Sequence, residues 1–541
     1  MGAPSGVPML PLRFLLALAL GGTFASAQLP PVREDALRAH LAFLSDDLLE
    51  GRGTGQRGAE LTVRYLETQL QALGLRPVQG TSYRQPVSLL GLRTQVGAST
   101  LSFLGGGTCA TPAFGTDIVY GAGVPQTQQT FDAPVVFVGY GITAPEFGWD
   151  DYRGLDARGK VLLMLVNEPA PTAQEPTLFD GANLSVYGRW TTKLEMAAAH
   201  GAAGVLLVHT TPSASYGWSV VQNGWEQERF QLAQGPAAAP LQGWLSEATA
   251  RALIHQGGQD FQALQARAQG RDFTPVPLDL TLKGTLHSAV RTVRQFNVAG
   301  LVPGTDAILK EELVIYSAHW DHLGQGAAPA PDTHPSPGTD SIYNGAVDNA
   351  SGCAGLLAMA ASARQHPARR GQLFLFLCAE EQGLLGSKAY VAQPPWPLAK
   401  TVADLNLDCL NFVGPTRDMG LPFGERSTLG DSGRALALAQ GLQVAPARPD
   451  TSGGYFRSDH FSFVHAGVPA LSIYGGRDFI TGDPAAARAK AAAYGARYHQ
   501  VTDEYDPSWD LRGMVQHSQF TLDLGQVIAN APTRPAFKTP R

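Results

Sequence analysis

Long runs of basic residues are missing from this sequence, and charged residues of all kinds make up only 16% of its 541 positions. The formal net charge is −6. Nucleic acids and anionic membranes attract proteins through positively charged surfaces, so the composition gives no electrostatic basis for binding either of them. The hydrophobic fraction of 44% is that of a folded globular protein, and the length exceeds what a single ordinary core supports.

Cysteine is scarce, since only four occur: Cys109, Cys353, Cys378 and Cys409. Four cysteines are too few for a disulfide scaffold in a chain of this length, and their spacing is not that of a zinc finger. Cys378 and Cys409 each stand near the end of an apolar run, where a free thiol acts as a small core side chain. We therefore expect buried thiols, and a bridge between these two stays open.

A hydrophobic run long enough to span a membrane is also missing near the N-terminus. The run from Phe14 to Leu20 follows a single charge at Arg13 and precedes Ala25-Ser-Ala27. It falls well below the roughly 18 apolar residues of a spanning helix and has the layout of a cleavable secretion signal. Residues 1–27 are predicted to be this signal, so we expect a secreted or periplasmic protein with no membrane attachment after cleavage.

Three regions with different sequence patterns follow along the chain. Helical periodicity covers 34–49 and 58–74, on either side of the glycine-rich loop 50–55. From about 110 to 275, short β-rich runs alternate with loops and one helix near 189–200, and no cluster of His, Cys and carboxylates is present. From about 285 onward, apolar strands alternate with helices, which predicts an α/β fold: a mixed, mainly parallel sheet with helices on both faces. We predict domain segments at 28–110, 111–275 and 276–541, the second being a β-rich insertion into the other two.

Imidazole and carboxylate residues fall where the strands of the third region end. His319 and Asp321 follow the run Leu313–Tyr316, and Glu380 and Glu381 come soon after the apolar run Leu373–Leu377. Asp408 ends the next strand, and Asp348 precedes a helix. In α/β folds chemistry gathers at strand ends, so these side chains are predicted to meet at one edge of one sheet.

Each residue of this group has an ordinary structural interpretation when it is taken alone. An Asp before a helix is commonly an N-cap, and adjacent glutamates usually lie on a solvated face. Adjacent carboxylates at the end of a buried strand, however, cannot easily both stay ionised without a nearby cation. Imidazole and carboxylate ligands suit zinc, with manganese or cobalt as substitutes.

Five motifs, in their order along the chain, resemble those of a known protein family. They are His319-x-Asp321, Asp348-Asn-Ala-Ser-Gly352, Ala379-Glu380-Glu381-Gln-Gly-Leu-Leu-Gly386-Ser387, Asn406-Leu-Asp408 and Tyr498-His499-Gln-x-x-Asp503-Glu504. In type and spacing they resemble the M28 family of zinc aminopeptidases over about 285–510. The loop Glu50-Gly-Arg-Gly-Thr-Gly55 also recurs in family members. The 111–275 segment resembles the protease-associated (PA) domain that many members carry as an insertion.

The resemblance implies a role for each position. Asp348 would bridge two zinc ions, with His319 and Asp408 on one ion and Glu381 and His499 on the other. Asp321 would orient His319, and Glu380 would be the catalytic base of a secreted enzyme that removes N-terminal residues from peptides. It also implies a cis peptide bond at Asp348-Asn349.

Several alternatives stay open at this stage. A carboxypeptidase or dipeptidase on the same scaffold would need a basic patch, for which Arg417, Arg426 and Arg457 are available. A glutaminyl cyclase would hold one zinc, and a receptor-like binding protein would have lost the chemistry although the ligand set here is complete. A serine hydrolase is not supported, because no GxSxG motif occurs. His322 and the segment Arg457-Ser-Asp459-His460-Phe461 fit both a site and a structural interpretation.

Overall fold

The computed structural model describes residues 30–326 and 340–538. The predicted secretion signal at 1–27 lies outside these residues. Among the described residues the helices are α1 (Glu34–Leu44), α2 (Arg57–Ala72), α3 (Trp190–Ala199), α4 (Thr211–Ala214), α5 (Trp218–Glu226), α6 (Glu247–Gln256), α7 (Phe261–Ala268), α8 (Ser351–Gln365), α9 (Leu385–Ala392), α10 (Thr428–Ala439), α11 (His460–His465), α12 (Pro484–Ala493) and α13 (Arg512–Asn530).

The strands of the same residues form two main sheets and short pairs. They are β1 (Arg76–Pro77), β2 (Arg84–Thr94), β3 (Thr100–Gly105), β4 (Thr108–Ala110), β5 (Ile118–Ala122), β6 (Gln128–Phe137), β7 (Thr143–Ala144), β8 (Trp149–Asp150), β9 (Val161–Leu165), β10 (Gly204–Val208), β11 (Arg229–Leu232), β12 (Leu241–Leu245), β13 (Val276–Val302), β14 (Leu313–His319), β15 (Gly324–Gln325), β16 (Ile342–Tyr343), β17 (Gly371–Leu377), β18 (Thr401–Leu407), β19 (Asp418–Gly420), β20 (Gln443–Val444) and β21 (Ala470–Gly475).

The first sheet has four parallel strands at its centre, in the order β17-β14-β18-β21. The second half of β13 pairs antiparallel with β17 and with β2, and β11 pairs with β2 beyond it. The predicted mixed, mainly parallel α/β sheet is therefore confirmed. All seven residues of β17 are buried, which explains its unbroken apolar sequence, because a strand covered on both faces has no polar side.

Helices cover both faces of this sheet. One core lies under α1, α2, α8 and α13, and another lies under α9 and α11. Glycine allows close contact between two of these helices: a Cβ atom on Gly355 of α8 would lie 2.7 Å from the Oγ of Ser518 in α13.

The second sheet has the order β4-β3-β13-β6-β9-β10-β12-β5, in which β13 contributes its first half. Apolar clusters cover its two faces. We call residues 100–287 the second-sheet unit. The long strand β13 runs through both sheets and joins this unit to the first sheet, and the predicted segment 111–275 lies within it.

The predicted helix over 34–49 is wrong in its C-terminal part, because α1 ends at Leu44. The hydroxyl of Ser45 donates to the carbonyl of Leu41, and the side chain of Asp46 accepts from the N–H of Leu48 and starts a 3-10 turn. Short polar side chains that bond to nearby backbone compete with the helix in this way. Leu48, which fitted the helical periodicity, is 68% exposed.

All four cysteines carry free thiols. Cys378 is buried as expected, whereas Cys409, which was also expected to be buried, is partly exposed. Cys353 is buried and Cys109 is exposed. Across the two described ranges, no helix has both the length and the apolar character needed to cross a bilayer.

Candidate metal centre

Three ends of parallel strands place their polar residues at one edge of the first sheet. His319 is the last residue of β14, Asp408 directly follows β18, and Glu380 and Glu381 follow β17 after a turn at Ala379, whose φ is +53°. Asp348 precedes α8, and the peptide bond from Asp348 to Asn349 is cis, as predicted.

Asp348 lies between two groups of side chains and faces each with a different oxygen. Its Oδ1 is 3.2 Å from Nε2 of His319, which is in turn 3.5 Å from Oδ1 of Asp408. Its Oδ2 is 3.2 Å from Nε2 of His499, which is 3.1 Å from Oε2 of Glu381. The structure thus brings together all five predicted ligands, in two groups that share Asp348.

Glu380 lies beside the first of these groups. One oxygen of its carboxylate lies within 4.8 Å of donor atoms of both His319 and Asp408. Its main-chain N–H donates to Oδ1 of Asp321 at 3.0 Å. Glu380 therefore lies at the edge of the centre, beside two of the five predicted ligands.

Asp321 contacts His319 differently from the expected arrangement. Nδ1 of His319 is 3.1 Å from the main-chain oxygen of Asp321 and 4.0 Å from its Oδ1. The main chain of Asp321 thus holds the imidazole, while the carboxylate holds the backbone of Glu380.

Sequence reasoning did not assign several contacts around the centre. Nδ1 of His322 is 2.6 Å from Oε1 of Glu381. The hydroxyl of Ser458 donates to Oδ2 of Asp408 at 2.6 Å and accepts from Asn406. The position of His322 directly after the first motif was the only available signal for the first contact, and Ser458 lies 50 residues from the side chain that it contacts.

The loops that carry the centre are fixed by two buried charges. The carboxylate of Asp503 accepts from the N–H groups of Val347 and Asp348. The guanidinium of Arg52, in the glycine-rich loop, donates to the main-chain oxygens of Leu44, Trp320, Asn344 and Gly345.

Six acidic residues gather here, and we call them the carboxylate cluster: Asp321, Asp348, Glu380, Glu381, Asp408 and Asp459. In the part of the chain that the structure describes, none of them lies within 4.0 Å of a Lys or Arg nitrogen. Burial, reinforced by the charge of Glu381, raises the pKa of Glu380 well above its ordinary value, although His319 opposes the shift. Burial likewise raises the pKa of Asp321 to about 7.

The pKa values of the histidines are raised as well. Burial alone would lower the pKa of His319, but the charge of Glu380 and the close carboxylates of Asp348 and Asp408 raise it well above its ordinary value. Burial would also lower the pKa of His499, but Glu381 and Asp348 raise it to about 10. The cluster attracts positive charge strongly, which is the expected property of a cation site.

The donor set fits zinc. It consists of imidazole nitrogens and carboxylate oxygens, the ligands that zinc accepts together. Nε2 of His499 is buried and has no hydrogen-bond partner within the described ranges, although two carboxylate oxygens lie within 3.2 Å. Imidazole nitrogens and carboxylate oxygens that surround one point without hydrogen bonds to one another are arranged like the ligands of a metal ion.

In the segment Arg457–Phe461, which had two open interpretations, Arg457 is exposed, whereas Asp459 directly before α11 and His460 at its start are fully buried. Burial raises the pKa of Asp459 to about 6 and lowers that of His460 to about 4. Asp459 adds negative charge next to the centre, whereas His460 lies against the ring of Tyr455 at a centroid distance of 4.9 Å.

The second-sheet unit contacts the first sheet close to this region. Arg426 forms an ion pair with Asp180 at 2.6 Å, and the N–H of Leu184 donates to the main-chain oxygen of Asp450 at 2.8 Å. The loop 180–189 of this unit therefore lies against the loop that precedes Asp459.

Comparisons with known proteins agree with this geometry. Residues 297–522 match the model of peptidase family M28. A probable leucine aminopeptidase 2 of Aspergillus oryzae is 31% identical over 180 residues, which are 30% of this chain and 35% of that protein. The match thus spans about a third of the length of this curated relative.

Two solved structures are similar across most of the chain. An aminopeptidase from Aneurinibacillus sp. strain AM-1 has a TM-score of 0.53 at 20% identity, with 94% of this chain and 97% of that chain covered. BSAP, a zinc aminopeptidase from Bacillus subtilis, has a TM-score of 0.45 at 15% identity, with 94% and 98% covered. The first of these supports the same fold. The five predicted ligands and Glu380 all lie within 297–522, the part of the chain that matches the model of peptidase family M28.

Proposed function

We propose that this protein is a two-zinc exopeptidase that hydrolyses the N-terminal peptide bond of its substrates. The observation that carries the proposal is the position of Asp348, whose two oxygens each face a different histidine at 3.2 Å. A carboxylate placed in this way suits a ligand shared by two ions.

His319 and Asp408 would complete the first site, and Glu381 and His499 the second. His322 holds Glu381, and Ser458 holds Asp408, so the carboxylates have fixed orientations. When bound, a pair of zinc ions supplies positive charge that polarises a carbonyl group and lowers the pKa of water.

Glu380 is the base in this proposal. It is buried beside His319 and Asp408, and its backbone is held by Asp321. It takes the proton of the attacking water and returns it to the nitrogen of the departing amine, so that no proton is lost from the site.

We further propose that the second-sheet unit is a PA-like insertion, that 1–27 is a secretion signal and that the enzyme is secreted or periplasmic. Peptides are the proposed substrates. The carboxypeptidase, dipeptidase and glutaminyl cyclase alternatives use the same fold, and their substrates distinguish them from an aminopeptidase.

A substrate panel tests the activity. Aminoacyl chromogenic amides and short peptides are compared with their N-acetylated and C-amidated counterparts, with chelator and after zinc is restored. We expect cleavage that needs a free N-terminus, tolerates C-terminal amidation and disappears with chelator. Cleavage that needs a free C-terminus, or that survives N-acetylation unchanged, would contradict the proposal.

A further inference from the structure

A second group of oxygen donors lies on the outer side of the loops that carry the metal centre. It lines an open cleft of about 290 Å³ whose walls are Ala42, Ser45, Asp46, Asp47, Asn344, Glu504 and Tyr505. None of these residues is among the proposed zinc ligands. The cleft joins three segments that are far apart in the sequence: the turn after α1, the loop before Asp348 and the loop after His499.

Asn344 is the feature that points to a ligand. Its side chain is 94% buried, since only 6% of the residue is exposed. Nδ2 donates to Oδ1 of Asp47 at 2.8 Å, whereas Oδ1 of Asn344 is buried and has no hydrogen-bond partner among the residues that the structure describes. A buried amide oxygen without a partner is costly, and a bound cation would remove this cost.

The charges in the cleft have no counter-ions within the chain. Among residues 30–326 and 340–538, the carboxylates of Asp46, Asp47 and Glu504 form no ion pair within 4.0 Å, whereas twenty-four other pairs do form. Partial burial, with the charges of Asp340 and Asp47, raises the pKa of Glu504.

Three arginines lie near the cleft, and their hydrogen bonds go to other groups. Arg497 donates to the main-chain oxygens of Thr502 and Glu504, at 2.7 and 2.8 Å. Arg38 donates to Glu34 and to the hydroxyl of Tyr505. Arg52 uses its guanidinium on main-chain oxygens only.

We propose that this cleft binds a calcium ion through Asp47, Asn344 and Glu504, and that the ion ties together the two loops that carry Asp348 and His499. The donors are carboxylate and amide oxygens, without an imidazole or a thiol, which favours a hard cation over zinc. An open cleft of flexible acidic side chains suits calcium better than magnesium, which demands near-ideal octahedral geometry. Arg52 and Asp503 hold the same loops from the inside, and the calcium ion holds them from the outside.

Calorimetric titration of CaCl2 into the zinc-loaded full-length protein tests the proposal, with zinc in the buffer so that the first centre stays filled. We expect one calcium ion per chain with a dissociation constant of about 1 mM or lower, together with a rise in the melting temperature. In the double variant Asp47→Asn, Glu504→Gln we expect at least about tenfold weaker binding, since calcium affinity follows the charge of its ligands.

Both substituted side chains are exposed, so the double variant is expected to fold, and its zinc content and circular dichroism check this. Glu60→Gln is the matched control, because Glu60 is exposed on α2 and does not line the cleft, and it should bind calcium like the wild type. Absence of calcium binding to the wild type would overturn the proposal. So would equal affinity in the double variant, which would place the ion elsewhere. Since the readout is binding, these results do not depend on peptidase activity.

Discussion

Two buried groups of charges, one in each half of the molecule, differ in what balances them. In the second-sheet unit, fully buried Lys193 on α3 lies near two acids, Asp151 and Glu168, whose charges act on it. We call these three residues the lysine cluster. The carboxylate cluster of the first sheet holds six acids, and in the described part of the chain the basic side chains within 4.0 Å of them are all histidines.

The acids of the lysine cluster are satisfied by the chain itself. Asp151 accepts from the N–H of Ile142 and from the indole of Trp149, and Glu168 accepts from the N–H of Ser185. In the carboxylate cluster, by contrast, buried imidazole nitrogens and carboxylate oxygens converge in two groups that share Asp348. The comparison teaches that burial of charge alone does not identify a reactive site. The excess of one sign, with convergent and unsatisfied ligand atoms, is the distinguishing feature.

The largest expected effect comes from removing the proposed base of the carboxylate cluster. Glu380→Gln should lower kcat by about 10²–10⁴-fold, because it removes proton transfer. Zinc content should stay unchanged, because Glu380 is not among the proposed ligands. Steady-state kinetics with metal analysis measures both, and Glu60→Gln is the control. Undiminished turnover would refute the role of Glu380.

The lysine cluster should change how the free energy of unfolding depends on pH. Burial lowers the pKa of Lys193 to about 7, although Asp151 and Glu168 oppose the shift. Between about pH 7 and pH 10 the unfolded chain then binds more protons at this lysine than the folded chain, so rising pH stabilises the fold. The contribution is up to about 1.4 kcal/mol per pH unit.

Replacement of this lysine isolates the contribution. Lys193→Met should lack that part of the pH slope in chemical denaturation, while zinc content and kcat stay near the wild-type values. Lys283→Met, an exposed lysine of the same unit, should keep the wild-type slope. An unchanged slope in Lys193→Met would mean that the lysine is charged in the folded protein at neutral pH.

A smaller effect is expected from Asp321, which belongs to the carboxylate cluster but contacts Glu380 only through the backbone. Asp321→Ala should reduce kcat/KM by about 10–100-fold, the range seen when an outer partner of a metal site is removed. Both zinc ions should remain. A loss as large as that in Glu380→Gln would assign Asp321 a more direct part in the reaction.

The smallest effect concerns the contact between the two halves. Arg426→Met removes the partly exposed pair with Asp180 and should cost at most about 1 kcal/mol in unfolding free energy, as for other surface pairs. Arg251→Met, which breaks an exposed pair within α6, is the matched control. A much larger loss specific to Arg426 would show that the halves depend on each other for stability.

The sequence predicted the α/β sheet and the meeting of His319, Glu381 and Asp408, because strand ends in a parallel sheet fix where the next residues lie. The cis bond at Asp348 followed from the resemblance. The end of α1 was missed, because periodicity in Leu37, Leu41, Leu44 and Leu48 continues past the point where Ser45 and Asp46 break the helix.

Contacts between distant loops could not be predicted from the sequence. Ser458 reaches Asp408, and Arg52 reaches Asn344, through the tertiary fold alone, and no local pattern encodes either contact. The carboxylate of Asp321 holds the backbone of Glu380, and the main chain of Asp321 holds His319, whereas Asp321 was predicted to orient His319. This difference depends on the rotation of one side chain, which residue spacing does not determine.

The count of zinc ions per chain tests the central claim most directly. Mass-spectrometric metal analysis of the zinc-loaded, dialysed protein should give two ions for the wild type. It should give about one for His499→Ala, and a loss from both sites for Asp348→Ala, because Asp348 faces both histidines. A single ion in the wild type, or two ions retained in Asp348→Ala, would contradict a centre shared through Asp348.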